Sequence, residues 1–290
     1  MDASSVKAML NRVLISSRID RKDAIELVEN IVSYIFSINE VKEVIIDETL
    51  KNRIRLRNEK IHYISVKDFE KYQSDMLIVI GGDGTLLRVL HYFHKTPPSV
   101  LGIRLGRYGF LMEVESNLAF EALKKIAEGR IQVIAKPRIV MCVKDKYLPP
   151  VLNDYVILAP RLKVVRLKVS KKSTGETIFN ALADGLIISP TAGSTAYSLS
   201  AGGPIIDENL KVVVVTPLNP MQLRVRSVVL DIKEELDVEV LDKDVEVYSD
   251  GMFCCNIEKN SKISIKFWDE VYFYRLKQDY YDRLKRRDHV

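Results

Sequence analysis

The sequence LIVIGGDGTLLR, residues 77–88, predicts the arrangement on which the N-terminal half of the chain is built. The stretch continues an apolar run from Met76, and such a run is typical of a strand buried on both faces of a parallel sheet. Glycines surround Asp83, and the apolar residues that follow recur at helical spacing, with Thr85 as the predicted N-cap. Because a strand, a glycine turn and a helix start bring backbone N–H groups and the helix dipole together, we expect an anion site here.

The carboxylate in this turn distinguishes it from the common phosphate loops. The turn lacks the Gly-Lys-Ser/Thr of a P-loop, and Leu87 stands where the dinucleotide fingerprint has its third glycine. A negative charge among phosphate-binding donors is useful if Asp83 accepts a proton from an attacking hydroxyl or faces a metal. The alternative is a tight turn in which Asp83 only caps the helix. GGDGT at residues 81–85, after such a strand, resembles a kinase superfamily that contains NAD kinases, lipid kinases and, more distantly, 6-phosphofructokinases. The resemblance implies phosphoryl transfer to a hydroxyl, without choosing the substrate.

Composition excludes several classes of protein. The chain has 290 residues and is 47% hydrophobic, enough for one large domain or two ordinary ones. No apolar run approaches the roughly 18 residues of a membrane span, and residues 1–5 do not resemble a signal peptide. The 3 cysteines favour neither a disulfide framework nor a zinc site, which is typical of the cytoplasm. The net charge of +5 comes partly from the basic stretch 283–287, which we interpret as a solvated tail. We therefore expect a cytoplasmic protein without membrane or nucleic-acid partners.

The order of predicted elements indicates two domains of different class. Strands and helices alternate through residues 1–129, which predicts a Rossmann-like α/β domain with a parallel sheet. Strand-like segments dominate residues 130–270, which predicts a β-rich, largely antiparallel domain. The tail, residues 271–290, is a candidate to return to the first domain. In the first domain, the predicted helices cover residues 20–35, 85–94 and 118–129, and residues 47–70 are predicted to be irregular.

Two further stretches bear on the substrate. Asn153 and Asp154 stand at the head of an apolar run, and an amide beside a carboxylate can hold both hydroxyls of a ribose. Asparagine and aspartate are also ordinary turn residues, so a turn that starts a strand is the alternative. Residues 184–204 combine a predicted strand, a hydroxyl-rich loop and a short helix from about Thr195. Such a run suits an adenine or a diphosphate, and the alternative is a packing helix that uses small residues as contacts.

These stretches, with GRYGFL at residues 106–111, resemble the NAD kinase family in order and spacing from about residue 12 to 275. Lipid kinases of the same superfamily resemble the first stretch alone. The resemblance implies that Asp83 accepts the proton of the substrate's 2′-hydroxyl. Arg88 has an alternative role as a solvated helix residue, and Phe110 as a packing anchor. The candidate substrate-binding residues are Gly84, Arg88, Phe110, Asn153, Asp154, Asp184, Thr195, Ala196, Tyr197, Ser198 and Ser200.

The reaction that the resemblance implies is phosphorylation of the adenosine 2′-hydroxyl of NAD to give NADP. ATP or another donor such as polyphosphate would supply the phosphoryl group. Mg²⁺ would arrive with the donor phosphates, because the sequence has no carboxylate cluster dedicated to a metal. We also expect a homodimer or homotetramer. The alternatives are a lipid kinase acting on diacylglycerol or sphingosine, and a module that senses dinucleotides without turnover. The preference between NAD and NADH stays open, because the chain departs from common family residues at Ala192, Met221, Ser227 and Met252.

Overall fold

A computed structural model of the protein describes residues 10–38, 41–106, 109–277 and 280–285. These residues fall into two units. The described residues up to Ala135 and from Val271 onward form the first unit, and Lys136–Glu270 form the second. The sequence placed the boundary near residue 129.

The first unit contains a parallel sheet with its most apolar strand in the interior. Its strands are β1 (Arg12–Ser17), β2 (Glu43–Asp47), β3 (Ile61–Ile64), β4 (Met76–Gly81), β5 (Ser99–Arg104) and β6 (Val114–Glu115). The order is β3-β2-β1-β4-β5, and every neighbouring pair is parallel. All residues of β4 are buried, as expected for an uninterrupted apolar strand between two neighbours.

The described residues form the helices α1 (Lys22–Ile38), α2 (Asp83–Leu90), α3 (Ala119–Ala127), α4 (Tyr197–Ser200) and α5 (Tyr280–Lys285). Helix α1 buries the face that its periodicity predicts. Short 3₁₀ helices are found at Glu48–Leu50, Val66–Lys71, Ser116–Leu118, Pro160–Leu162 and Thr191–Thr195.

Two local predictions were wrong. Helix α2 starts at Asp83 rather than Thr85, because the extended Gly82 serves as N-cap and its carbonyl accepts from Thr85 N at 2.9 Å. The region 47–70 contains β3, which pairs with β2 and so depends on a partner distant in sequence. The short helix predicted from about Thr195 is found as α4, directly after a 3₁₀ helix that ends at Thr195.

The second unit is a sandwich of two antiparallel sheets. Its strands are β7 (Gln132–Val143), β8 (Lys146–Tyr147), β9 (Tyr155–Leu158), β10 (Val165–Lys171), β11 (Thr177–Ala183), β12 (Gly185–Pro190), β13 (Val212–Leu218), β14 (Val228–Asp231), β15 (Leu236–Val240), β16 (Val245–Ser249), β17 (Met252–Ile257) and β18 (Ser261–Arg275). One sheet has the order β14-β13-β12-β9-β16-β17, and the other contains β11-β10-β15-β18. Ile188 and Val215 of the first sheet pack in one buried cluster with Leu167 and Val238 of the second.

The predicted fold class is therefore confirmed: a Rossmann-like parallel α/β region is followed by a largely antiparallel β-rich region. The first four residues of β7 and the last residues of β18, from Val271 on, belong to the first unit, where Phe273 pairs in parallel with Val100. Among the residues that the structure describes, no helix has the length and apolar character needed to cross a membrane.

Candidate functional site

Asp83 lies at the carboxyl end of β4, the edge at which open α/β sheets bind ligands. It is the first residue of α2, directly after the glycine turn. The turn is tight: a Cβ at Gly81, whose φ is +156°, would lie 2.6 Å from Thr85 Oγ1. Glycine at this position allows the chain to pass from strand to helix within two residues of the sheet edge.

Two backbone amides of the loop after β5 hold the Asp83 carboxylate. Phe110 N donates to Asp83 Oδ2 at 2.8 Å, and Leu111 N donates to Oδ1 at 3.1 Å. The approach depends on Gly109, since a Cβ there would lie 2.9 Å from Asp83 Oδ1. The loop after β5 therefore lies beside the 81–85 turn, and its main chain fixes the orientation of the carboxylate.

The neighbours predicted beside Asp83 have different surroundings. Gly84 is exposed, and a Cβ placed on it would meet nothing within 4 Å. Phe110 is buried, and its ring centroid lies 6.3 Å from that of Tyr280. The Phe110 side chain therefore takes part in packing, while its backbone amide serves the carboxylate.

Arg88 is held at the same edge of the sheet by a buried carboxylate. Arg88 Nη2 lies 3.3 Å from Oδ2 of Asp47, which ends β2, and 3.4 Å from Oγ of Ser16, near the end of β1. Asp47 also accepts from Thr49 N at 3.1 Å. The Arg88 side chain is 41% exposed, so part of its guanidinium group faces solvent at the ligand-binding edge. Sequence analysis missed Asp47, whose only local signal is an acidic residue that ends an apolar strand.

In the second unit, Asp250 organises the Asn153-Asp154 segment. Its Oδ2 accepts from Leu152 N at 3.0 Å, and its Oδ1 accepts from Asn153 N at 2.8 Å and Asp154 N at 3.0 Å. Asp250 N in turn donates to Asp154 O at 2.9 Å. Asp250 has a φ of +46°, in the hairpin turn between β16 and β17. In the sequence, Asp250-Gly251 indicates only a turn, because the partners of Asp250 lie about a hundred residues away.

The same segment also contacts the hydroxyl-rich run. A Cβ on Gly193 would lie 1.7 Å from Asn153 O, so the two backbones touch. The structure thus brings together two stretches that the sequence had linked only through family spacing. The Asn153-Asp154 segment therefore contacts both Asp250 and the 3₁₀ helix at Thr191–Thr195.

Burial raises the pKa of two neighbouring carboxyl groups, those of Asp154 and Asp250. Desolvation, together with the charge of Asp250, raises the pKa of Asp154 to about 7. Burial also raises the pKa of Asp250 to about 6, although its three amide donors and Arg138 act in the opposite direction. Since the amides and Arg138 favour the ionised form of Asp250, the proton resides preferentially on Asp154.

The remaining candidates divide between buried and exposed side chains. Asp184 Oδ2 accepts from Asn219 Nδ2 at 2.9 Å. Ser198 is fully buried and its Oγ lies 2.9 Å from Thr216 Oγ1, an internal contact. Thr195 is buried and Ala196 is half-buried, whereas Tyr197, at 47% exposure, and Ser200 face solvent. The described ranges contain no group of three or more His, Cys, Asp or Glu side chains placed to hold a metal.

Comparison with known proteins gives a consistent result. A family model described as the ATP-NAD kinase N-terminal domain matches residues 13–131, and one described as the C-terminal domain matches residues 152–274. A protein named NAD kinase from Aeropyrum pernix is 34% identical over 260 residues, which cover 86% of this chain and 92% of that protein.

Two solved structures share the fold. The crystal structure of yeast NADH kinase complexed with NADH has a TM-score of 0.85 at 22% identity, covering 96% of this chain and 87% of that one. The crystal structure of an NAD kinase from Archaeoglobus fulgidus in complex with ATP has a TM-score of 0.75 at 21% identity, covering 96% and 99%.

Proposed function

The chain belongs to the NAD kinase family, and we propose which of its residues carry out the transfer of a phosphoryl group to NAD. The proposed reaction moves the γ-phosphoryl group of ATP to the 2′-hydroxyl of the adenosine ribose and gives NADP. In such a transfer the protein mainly positions the reactants and stabilises charge. The observation that carries the proposal is the placement of Asp83 on the glycine turn at the carboxyl edge of the parallel sheet.

Asp83 is the proposed acceptor of the 2′-hydroxyl proton. A carboxylate at the first position of a helix, beside a glycine turn, stands among the backbone N–H groups that attract phosphate. The amides of Phe110 and Leu111 occupy one side of the carboxylate, at 2.8 and 3.1 Å. They fix its direction, and an ionised carboxylate can accept from more than two donors because it offers about four acceptor sites. Arg88, anchored by Asp47, is the proposed phosphate contact.

The proposed binding residues of the second unit recognise NAD. Asn153 and Asp154, held by Asp250, would bind ribose hydroxyls. Asp184, Thr195, Ala196, Tyr197, Ser198 and Ser200 are the further proposed contacts, and Tyr197 and Ser200 have side chains that solvent reaches. The yeast relative described in complex with NADH supports a dinucleotide as the substrate.

ATP is the proposed donor, supported by the complex of the Archaeoglobus fulgidus relative with ATP. Mg²⁺ is proposed to enter with the donor phosphates, whose oxygens are ligands that it prefers. When bound, it neutralises the charge that develops on the phosphates.

Family membership favours NAD phosphorylation over the two alternatives, a lipid kinase and a dinucleotide sensor. We also propose that the protein is a cytoplasmic homodimer or homotetramer. The second unit exposes large apolar side chains, among them Leu223 at 82% and Phe253 at 55%, which a subunit contact would cover. Sedimentation of a fully active monomer would contradict the oligomer.

The test of the proposed function is NADP formation by the purified protein from NAD, ATP and Mg²⁺, with diacylglycerol and a sphingoid base as competing acceptors. We expect NADP and no phosphorylated lipid. For Asp83→Asn we expect kcat to fall at least about 10²-fold, the typical cost of losing a general base, while NAD binds within several-fold of wild type. Lipid phosphorylation without NADP would refute the proposal that NAD is the substrate. Near-normal turnover of Asp83→Asn would show that Asp83 only caps the helix.

A further inference from the structure

From the contacts of the C-terminal helix we infer that Arg283 is a positioning residue for Asp83, acting through the backbone of the loop after β5. The inference rests on the proposed role of Asp83 as proton acceptor. All groups involved belong to the first unit.

Arg283 makes its key contact inside the protein. Helix α5 carries Arg283, which is 4% exposed, into the interior. Its Nη1 donates to Phe110 O at 3.0 Å and lies 3.2 Å from Glu113 Oε2. A buried guanidinium requires partners for its charge, and these two oxygens supply acceptors from the chain that follows β5.

Glu113 connects a second buried arginine to the same place. Arg275 Nε donates to Glu113 Oε2 at 2.8 Å, and Arg275 Nη2 donates to Oε1 at 3.0 Å. The Glu113 and Arg275 side chains are 1% and 2% exposed. Both oxygens of the carboxylate are therefore engaged by Arg275, and Arg283 shares one of them. Arg283 therefore combines an ion pair with Glu113 and a charge-assisted hydrogen bond to the Phe110 carbonyl.

A single peptide group joins this arginine to the proposed base. The carbonyl of Phe110 and the N–H of Leu111 belong to the same planar peptide unit. Arg283 binds the carbonyl end, and the N–H end donates to Asp83 Oδ1 at 3.1 Å. A cation on the carbonyl polarises the unit and strengthens the N–H as a donor, because hydrogen bonds in a chain reinforce one another in a low dielectric. Arg283 therefore fixes both the position and the donor strength of the loop that holds the carboxylate.

The direct test compares Arg283→Gln and Arg283→Lys with a matched control, Arg275→Gln, which removes the other arginine on Glu113. For Arg283→Gln we expect kcat for NADP formation to fall by about 10- to 100-fold, the cost of a small misplacement at a reacting centre, with KM for NAD nearly unchanged. Arg283→Lys keeps the charge and should recover part of the loss. Arg275→Gln should lower the unfolding temperature with little change in kcat.

A double-mutant cycle separates positioning from general destabilisation. In the Asp83→Asn background, Arg283→Gln should cost almost nothing further, since residues that act as a unit are not additive. Full additivity would overturn the inference, as would a folded Arg283→Gln protein with wild-type kcat.

Amide hydrogen exchange provides a measurement that does not depend on turnover. Arg283→Lys should speed exchange at Phe110 and Leu111 relative to the amides of β4, and unchanged protection there would refute the link even if Arg283→Gln failed to fold. If the wild-type protein makes no NADP, the proposed function fails, whereas the exchange comparison still decides whether Arg283 orders the loop.

Discussion

Replacing Asp250 separates the two effects of its carboxylate, which orders the Asn153-Asp154 segment and raises the pKa of Asp154. Asp250→Asn keeps Oδ1, which accepts from Asn153 N at 2.8 Å and Asp154 N at 3.0 Å. It replaces Oδ2, which accepts from Leu152 N at 3.0 Å, with an NH₂ group that can only donate. Asparagine also tolerates the φ of +46°. Asp250→Ala removes both acceptor oxygens, and with them all three hydrogen bonds, and adds backbone strain.

The hydrogen bonds give the magnitude of the loss in stability. One buried amide left without an acceptor costs about 1–3 kcal/mol, so we expect Asp250→Asn to lose about that amount at low pH. Asp250→Ala leaves three amides without an acceptor and places alanine in the left-handed region, which adds about 1–2 kcal/mol, so we expect a loss of about 4–11 kcal/mol. The larger loss follows from the three hydrogen bonds that Asp250→Ala removes, against one for Asp250→Asn.

Asp250→Asn should also make the stability of the protein depend less on pH. Because burial raises the pKa of Asp154 to about 7, above its ordinary value, the associated stability is present at low pH and is lost as the pH rises through 7. Asp250 has a raised pKa, about 6, and acts in the same direction. Asp250→Asn removes one titrating carboxyl group and lowers the pKa of the other. The decline of stability between about pH 4 and pH 7 should therefore become shallower.

Urea unfolding between pH 4 and 8, followed by fluorescence, measures both effects. The chain has 1 tryptophan, Trp268, and it lies in β18 of the second unit. Asp145 provides a matched control, because it has a φ of +61° and is exposed. Asp145→Asn and Asp145→Ala therefore test the cost of the left-handed backbone conformation alone. A pH dependence of Asp250→Asn as steep as that of wild type would refute the reasoning, as would equal losses for Asp250→Ala and Asp145→Ala.

Two glycine substitutions should affect different properties: Gly84→Ala should weaken ligand binding, and Gly193→Ala should lower stability. Gly84→Ala should leave the unfolding temperature unchanged, because the new Cβ meets nothing within 4 Å, and should weaken NAD or ATP binding by roughly tenfold, or about 1.4 kcal/mol, by crowding the proposed ligand. Calorimetric titration measures this, and binding at wild-type strength would exclude a close approach of ligand to Gly84. Gly193→Ala should destabilise the protein by about 1–3 kcal/mol or more, because its Cβ would lie 1.7 Å from Asn153 O. An unchanged melting temperature would show that this backbone contact is dispensable.

The sequence by itself determined the class of both regions and the position of the proposed base. The apolar run at Met76–Gly81 and the glycines around Asp83 predict a strand, a turn and a helix, because each depends on neighbouring residues. Strand-like segments, several of which alternate apolar with polar residues, likewise predict a β-rich and largely antiparallel second unit. The start of α2 at Asp83 was missed, because a glycine can serve as N-cap through its backbone without a side-chain signal.

The tertiary structure alone decided what holds the functional side chains. The bond from Asn153 N to Asp250 joins residues 97 apart in sequence, and the bond from Arg283 to Phe110 O joins residues 173 apart. No local periodicity predicts such pairs, because the Asp250 carboxylate and the Phe110 carbonyl receive these hydrogen bonds only when distant parts of the chain meet. Asp250 and Arg283 look like an ordinary turn residue and part of a basic tail until the chain folds. Burial then gives each a required partner, because a charged group taken out of water needs hydrogen bonds to replace those it has lost.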